Sequence, residues 1–389
     1  MRLLPLFVFW GLWFLSYSTR TIFAPILPLI EDKLTLSHGE AGGLYTSLSI
    51  GYALALMIAG KFASVWGYKR TVVSGFVGIG LVFLGLQWAE SYLVFHLLFI
   101  LLGIATGTYI PGILPIITEM YEDRSWGKAL GFHDSAASFS ILSIPIVVVL
   151  GLKFFPWERI LLILGIASFI LPVYFWKVSV EPKGDRSRKT GRYLPLLKKR
   201  PIWVMGLLWI FASGSSSGIY SVLPLYLIKE RGIDLYLANT LLGISRVGGV
   251  FVSILSGFLA DRYGYRAILA LSLFATGLST IALSLSSTLP LILTTLFLQA
   301  TFSLFFFPVG MAAISKLTPF SDRAMAMGII LSIGMIFGTG VNPFLLGVVA
   351  DHLSFRTGML CLGVLTAFSS LGVSLLEEQL RPGPMPPGT

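Results

Sequence analysis

Two arginines lie deep inside hydrophobic runs, Arg20 in the first run and Arg246 in the eighth. A charged side chain at the bilayer centre costs at least ~2.5–3.5 kcal/mol, so each needs a compensating function or partner. Arginine stays protonated and offers a planar fork of N–H donors suited to carboxylate, phosphate or sulfate. Arg20 precedes Ile30 by about 15 Å along a helix axis at the helical rise, and Tyr17 and Ala24 share its face. Arg246 shares a stripe with Asn239, Gly243 and Ser253. Tyr109, Gln299 and Asn342 add uncharged polar groups at membrane depth. Acids inside the runs are few: Asp134 beside His133 in the fifth run, and Glu119 near the end of the fourth, where Arg124 and Lys128 can satisfy it. The surplus of buried positive charge calls for a small anionic substrate. Arg20, Arg246, Tyr17, Tyr109, Gln299 and Asn342 are the candidate binding residues, and Asp134 with His133 the candidate proton carriers. The alternative is structural. Arg20 would then pair with Asp134 or with helix carbonyls, Arg246 would bond carbonyls in the same way, and His133 would be a polar residue at a helix start.

The elements that hold these groups follow from composition. The chain has 389 residues, 55% hydrophobic and 12% charged, with a mean hydropathy of +0.85. Soluble domains carry about a quarter charged residues. A helical crossing takes ~20 apolar residues, and twelve such runs use nearly the whole chain. The run over residues 3–30 outlasts a signal-peptide core and shows no small-residue cleavage site, so it reads as the first membrane helix. The organisation expected is a six-helix bundle over 1–178, a basic cytoplasmic linker over 179–201, a second six-helix bundle over 202–378 and a short tail over 379–389. With both termini in the cytoplasm, twenty of the 28 Lys and Arg fall inside and six outside, the remaining two being Arg20 and Arg246. That bias sets the orientation and accounts for the net charge of +10 without a nucleic-acid partner. The single Cys361 excludes an intramolecular disulfide. The four histidines have no metal-ligand spacing, and no nucleophile–base pair or phosphate-binding loop is present. We therefore expect no cofactor, no metal site, no catalytic residues and a monomer. The short charged loops point to a prokaryotic inner membrane.

The halves repeat. Gly60-Lys-Phe-Ala-Ser-Val-Trp-Gly-Tyr-Lys-Arg70 aligns with Gly257-Phe-Leu-Ala-Asp-Arg-Tyr-Gly-Tyr-Arg-Ala267 at an offset of 197, which also takes Pro111 to Pro308, Gly131 to Gly328 and Arg159 to Arg356. An even number of helices per repeat gives both copies one orientation, as in parallel repeats about the membrane normal, whose substrate sites lie near the midplane between the halves.

The stretch Gly257-Phe-Leu-Ala-Asp261-Arg262-Tyr-Gly264-Tyr-Arg266 resembles the G-x-L-x-D-R-x-G-x-R signature of the major facilitator superfamily, in the loop joining helices eight and nine. The first copy, with Gly60, Gly67 and Arg70, falls in the equivalent loop between helices two and three. The resemblance implies an all-α membrane protein of twelve transmembrane helices in two pseudo-symmetric bundles, working by alternating access. It implies a cytoplasmic gate at Gly257, Asp261, Arg262, Gly264, Arg266, Gly60, Gly67 and Arg70. Gly257 and Gly264 would allow close packing and a tight turn, and Asp261 would sit at a helix N-terminus. The first copy departs from the signature, with Ser64 where the acid belongs, so its latch is built differently.

Tyr17-Ser-Thr-Arg20 is similar to the first helix of organic-anion members, which implies proton-coupled transport of a carboxylate-like anion. A drug/proton antiporter is the alternative, but helix five reads Ser140-Ile-Leu-Ser-Ile-Pro145 instead of G-P-x-x-G-G, and helix four lacks a central arginine. The paired arginines of nitrate carriers fail at Ser49, the position equivalent to Arg246. A transport-inactive membrane sensor is the reading from a different class. The small-residue run Phe211-Ala-Ser-Gly-Ser-Ser-Ser-Gly218 is either a local unwinding or a close helix crossing.

Overall fold

The protein, analysed as a computed structural model, is described over residues 3–122, 125–182, 193–319 and 322–376. Arg124, residues 183–192 of the basic linker and the tail fall outside these residues. In lipid every backbone N–H and C=O must be satisfied within the chain, so a segment this apolar folds as helices. Twelve result: α1 (Leu3–Thr21 continued by Phe23–Leu34), α2 (His38–Trp66) and α3 (Tyr68–Trp88); α4 (Tyr92–Met120), α5 (Trp126–Gly151) and α6 (Trp157–Val178); α7 (Arg200–Glu230); α8 (Leu235–Ile244 continued by Val247–Tyr263); and α9 (Tyr265–Leu285), α10 (Leu289–Leu317), α11 (Met325–His352) and α12 (Phe355–Leu375). Among the described residues ten of these are long and apolar enough to cross a membrane unbroken. The other two, α1 and α8, are the helices that carry the arginines. Their helical runs are interrupted at Ile22, two residues beyond Arg20, and at Ser245–Arg246.

Polar residues set the helix starts. Ser37 opens α2 with a reciprocal box, its hydroxyl accepting from Glu40 N while the Glu40 carboxylate takes Ser37 N. Ser91 and Ser354 cap α4 and α12. Gly67 and Gly264 turn α2 into α3 and α8 into α9 at φ of 114° and 89°, values a side chain strongly disfavours.

Two compact units result: residues 1–188 with 223–243, and residues 189–222 with 244–389. In the first unit α2 packs on α4, α3 on α6 and α1 on α5. In the second α8 packs on α10, α9 on α12 and α7 on α11. The pairing scheme is the same, and two glycine pairs on the 197 offset explain it. A Cβ on Gly51 would stand 2.1 Å from the Ile100 carbonyl oxygen, and one on Gly248 would stand 2.2 Å from Thr301 Oγ1. A Cβ on Gly80 would meet the Phe169 ring at 2.5 Å, and one on Gly277 would meet Ala367 N at 2.4 Å. These crossings are as close as small residues allow. Gly257, expected to serve close packing, has nothing within 4 Å of a built Cβ, and neither does its repeat partner Gly60. Close packing falls instead on the glycines one to three turns deeper, where lipid gives no hydrophobic drive and backbone contact must supply the attraction.

Aromatic contacts fill both cores. In the first unit Phe23 lies 4.5 Å from Phe99. In the second, Trp209 meets Phe306 edge-on at 5.3 Å and covers Gly310 and Gly334. The first unit also includes residues 223–243, where Lys229 pairs with Asp32 and Glu31, and Asn239 Nδ2 donates to the Pro25 carbonyl at 3.0 Å. Asn239, expected to share a stripe with Arg246, spends its amide on that carbonyl.

Replacing Gly51 with leucine forces backbone apart and should cost about 1–3 kcal/mol or more. Gly60→Leu enters open space and should shift stability by less than about 0.5 kcal/mol. Thermal unfolding of the two variants in detergent measures the contrast.

Candidate functional site

In the first unit the half-buried Arg20 is held by aromatic faces. Its guanidinium carbon lies 4.5 Å from the Tyr17 ring centre, 4.6 Å from Tyr52 and 5.7 Å from Trp13. Tyr17 is one helical turn before Arg20 on α1, and Tyr52 comes from α2. Cation–π contact of this kind holds a desolvated guanidinium without neutralising it. Arg20 makes no ion pair or hydrogen bond with the described residues, and its Nε is buried without a partner. Asp134, the acid considered for pairing with it, accepts from the Trp13 indole at 3.3 Å instead. Asp134 is exposed on α5, while neighbouring His133 is 2% exposed.

Behind Trp13 the polar groups form a stack. Trp13 lies parallel to Tyr109 and His133, with centroids 5.2 and 5.7 Å away. Tyr109 Oη donates to the Phe9 carbonyl at 3.1 Å and lies 3.0 Å from His133 Nε2. The structure therefore brings Tyr17, Tyr109, His133 and Asp134 together around Trp13 and places Arg20 at its edge. Tyr109 and His133 are buried within the unit and form its support. Sequence reasoning missed Trp13 and Tyr52. Trp13 sits at i−7 from Arg20, a readable signal; Tyr52 on another helix had none.

In the second unit the polar residues converge on α7. The small-residue run takes a π-helical turn over Gly214–Gly218, a widened geometry that leaves successive carbonyls open to side chains. Asn342 Nδ2 donates to the Gly214 carbonyl at 2.9 Å, Gln299 Nε2 to Ser215 at 2.6 Å, and Arg246 Nη2 to Ser216 at 3.3 Å. Three helices thus hand donors to three consecutive carbonyls. Gly214 and Gly218 permit this, since a Cβ on either would stand 2.9 or 2.6 Å from Asn342 Nδ2. Arg246, 4% exposed, also lies over Tyr220 with its guanidinium carbon 5.0 Å from the ring centre. Gln299 Oε1 is buried and has no partner among the described residues.

The two signature loops are built alike. The repeat-related cations Lys69 and Arg266 both reach the last helix of their unit. Lys69 Nζ donates to the Trp176 and Ser179 carbonyls at 2.8 and 2.9 Å. Arg266 Nη2 donates to the Ser374 carbonyl at 3.0 Å. The acid missing at Ser64 is replaced by Glu181, which accepts from Tyr68 N at 2.6 Å and Lys69 N at 3.0 Å. A carboxylate there satisfies two orphan amides and meets the positive end of the α3 dipole. In the second copy Asp261 accepts from the Tyr265 hydroxyl at 2.6 Å, and Arg262 lies 5.4 Å from the Tyr263 ring centre.

Repeated six-helix bundles, glycine-matched crossings and an arginine at membrane depth in each unit define a polytopic transporter, not an enzyme. The sequence profile described as Major Facilitator Superfamily matches residues 9–262 and 210–388, and the chain belongs to that family. It is 27% identical over 355 residues to the uncharacterized MFS-type transporter YuxJ of Bacillus subtilis (strain 168), covering 87% of this chain and 89% of the relative. It is 26% identical over 275 residues to the probable sulfoacetate transporter SauU of Cupriavidus necator, covering 64% and 63%. The crystal structure of a bacterial homolog of the human lysosomal transporter Spinster superposes with a TM-score of 0.81 at 17% identity, over 98% of this chain and 99% of that one.

Removing the carboxylate that closes α3, by Glu181→Ala, should cost about 1 kcal/mol. It should lower Tm by roughly 2–4 °C for a unit of this size, read by thermal unfolding of the purified protein.

Proposed function

We propose that this transporter carries a small carboxylate-like organic anion across a prokaryotic cell membrane in symport with protons, with both termini in the cytoplasm. The observation that carries the reading is Arg20: a guanidinium bracketed by Tyr17 and Tyr52 with no counter-ion among the described residues. Three rings lie within 6 Å of it, and the anion meets it through the N–H fork that binds carboxylate in two parallel bonds. The similarity to a relative named for sulfoacetate, an organic anion, supports the same class.

Roles follow from position. Arg20 receives the anionic group and Tyr17 fixes its fork. Arg246 supplies the positive charge of the second unit, with Gln299 and Asn342 shaping the α7 turn beside it. Asp134 is the proton carrier, exposed on α5 and linked to the Arg20 cluster through Trp13. His133 orients Tyr109 behind that cluster. Asp261, Arg262, Gly264 and Arg266 in the signature loop of the second unit, and Gly67 in that of the first, each serve gating at the cytoplasmic side, while Gly60 and Gly257 leave smooth helix faces there.

The test is uptake by proteoliposomes of labelled carboxylates, sulfonates and lipophilic cations under an imposed proton gradient. A charged hydrogen-bonding group is worth ~1.5–3 kcal/mol, so Arg20→Ala should lower anion uptake about ten- to hundredfold. Arg20→Lys, which keeps charge but not the fork, should fall between. Uptake of a lipophilic cation at equal rates by wild type and Arg20→Ala, without anion uptake, would favour drug efflux and overturn the proposal.

Asp134→Asn should abolish gradient-driven accumulation while leaving downhill anion exchange measurable. Equal accumulation by variant and wild type would exclude Asp134 from coupling.

A further inference from the structure

Two apolar grooves flank α3 on the surface of the first unit. One, a shallow open groove of about 420 Å³, is lined by Val73, Val77, Leu81, Trp66, Trp176 and Arg70. The other, of about 390 Å³, lies against Leu98, Leu101 and Ile104 of α4. They share Ser74, Gly78 and Leu81, so they adjoin along α3. The lining residues Val77, Leu81, Leu101 and Ile104 are all exposed on helices that cross a membrane. We propose that these grooves form the site of one anionic diacyl phospholipid, with its phosphate on Arg70 and one acyl chain in each groove.

The charge arrangement selects the head group. Arg70 is exposed, stands in the first turn of α3 and has no ion pair among the described residues. Its neighbours are already committed. Lys69 Nζ bonds the Trp176 and Ser179 carbonyls and lies 4.7 Å from the Trp176 ring centre. Glu181, the nearby acid, spends its carboxylate on the amides of Tyr68 and Lys69. The cation left to meet a phosphate is Arg70. Trp66 and Trp176, 42% and 47% exposed, are placed as interfacial tryptophans are, at the level where head group passes into chain. The grooves run from that level along the membrane-embedded part of α3. A soluble phosphate would leave them empty, whereas a diacyl lipid fills both.

The experiment is native mass spectrometry of the purified full chain with equal dioleoyl phosphatidylglycerol and dioleoyl phosphatidylcholine. One basic residue near an anionic lipid surface is worth about 1 kcal/mol, so wild type should retain one phosphatidylglycerol with about fivefold preference. Arg70→Gln should bring that preference to parity. Val77→Trp, which fills the first groove and leaves Arg70 in place, should lower retention of both lipids. Each variant is first checked for wild-type Tm without lipid, and Arg70→Lys serves as the charge-preserving control if Arg70→Gln fails. Undiminished phosphatidylglycerol preference in Arg70→Gln, or equal stabilisation of wild type by inorganic phosphate alone, would overturn the proposal.

Discussion

A guanidinium cannot rest at membrane depth without something to hold it, and the first unit is arranged around that constraint. Its holder is a pair of tyrosine faces, one from the arginine's own helix and one from the next. The second face is in place only because α2 has the right rotation. Tyr52 follows Gly51 in the chain, and Gly51 is where the α2 backbone touches the α4 carbonyl of Ile100. The close approach at Gly51 thus sets the helix rotation on which the Tyr52 ring, about 100° further round α2, depends. The same principle takes another form in the second unit. There a widened turn of α7 turns its carbonyls to neighbouring helices, and Arg246 is anchored to one of them and to the Tyr220 ring.

Most of the architecture was legible because lipid makes it so. Hydropathy marks helices directly, basic residues mark sidedness, and a repeat with a fixed offset marks the halves. The glycine pairs Gly51 with Gly248 and Gly80 with Gly277 stand on the same 197 offset but were hidden among 41 glycines. Sequence alone does not say which glycine faces a neighbour, and Gly257, which it singled out for packing, faces open space. The interruptions of α1 and α8 were equally unreadable, since neither contains a proline or glycine at the break itself.

The polar residues divide in the same way. Arg20, Arg246, Gln299 and Asn342 could be picked out by type and depth, and the structure gives each a clear setting. Carbonyls could be named as a class of partner for Arg246, but which ones could not be read. Three of these residues donate to the carbonyls of Gly214, Ser215 and Ser216, groups with no sequence signature. A carbonyl is present at every position, and which ones are free is decided by helix geometry. Likewise the acid absent at Ser64 is supplied by Glu181, more than a hundred residues away, from a stretch that looked like plain linker.

The coincidence of helix breaks with arginines has a consequence for how the chain enters a membrane. Insertion proceeds in chain order, and the two arginine helices are the two not long and apolar enough to cross unbroken among the described residues. α8 arrives after α7, so Tyr220 and the Ser216 carbonyl already exist when Arg246 needs them. α1 precedes α2, and Arg20 brings only Trp13 and Tyr17 with it; Tyr52 has yet to be synthesised. The aromatic pair carried on α1 is what lets its charge wait. Biogenesis of the two halves is therefore asymmetric although their folds are matched, with α1 and α2 obliged to settle as a hairpin.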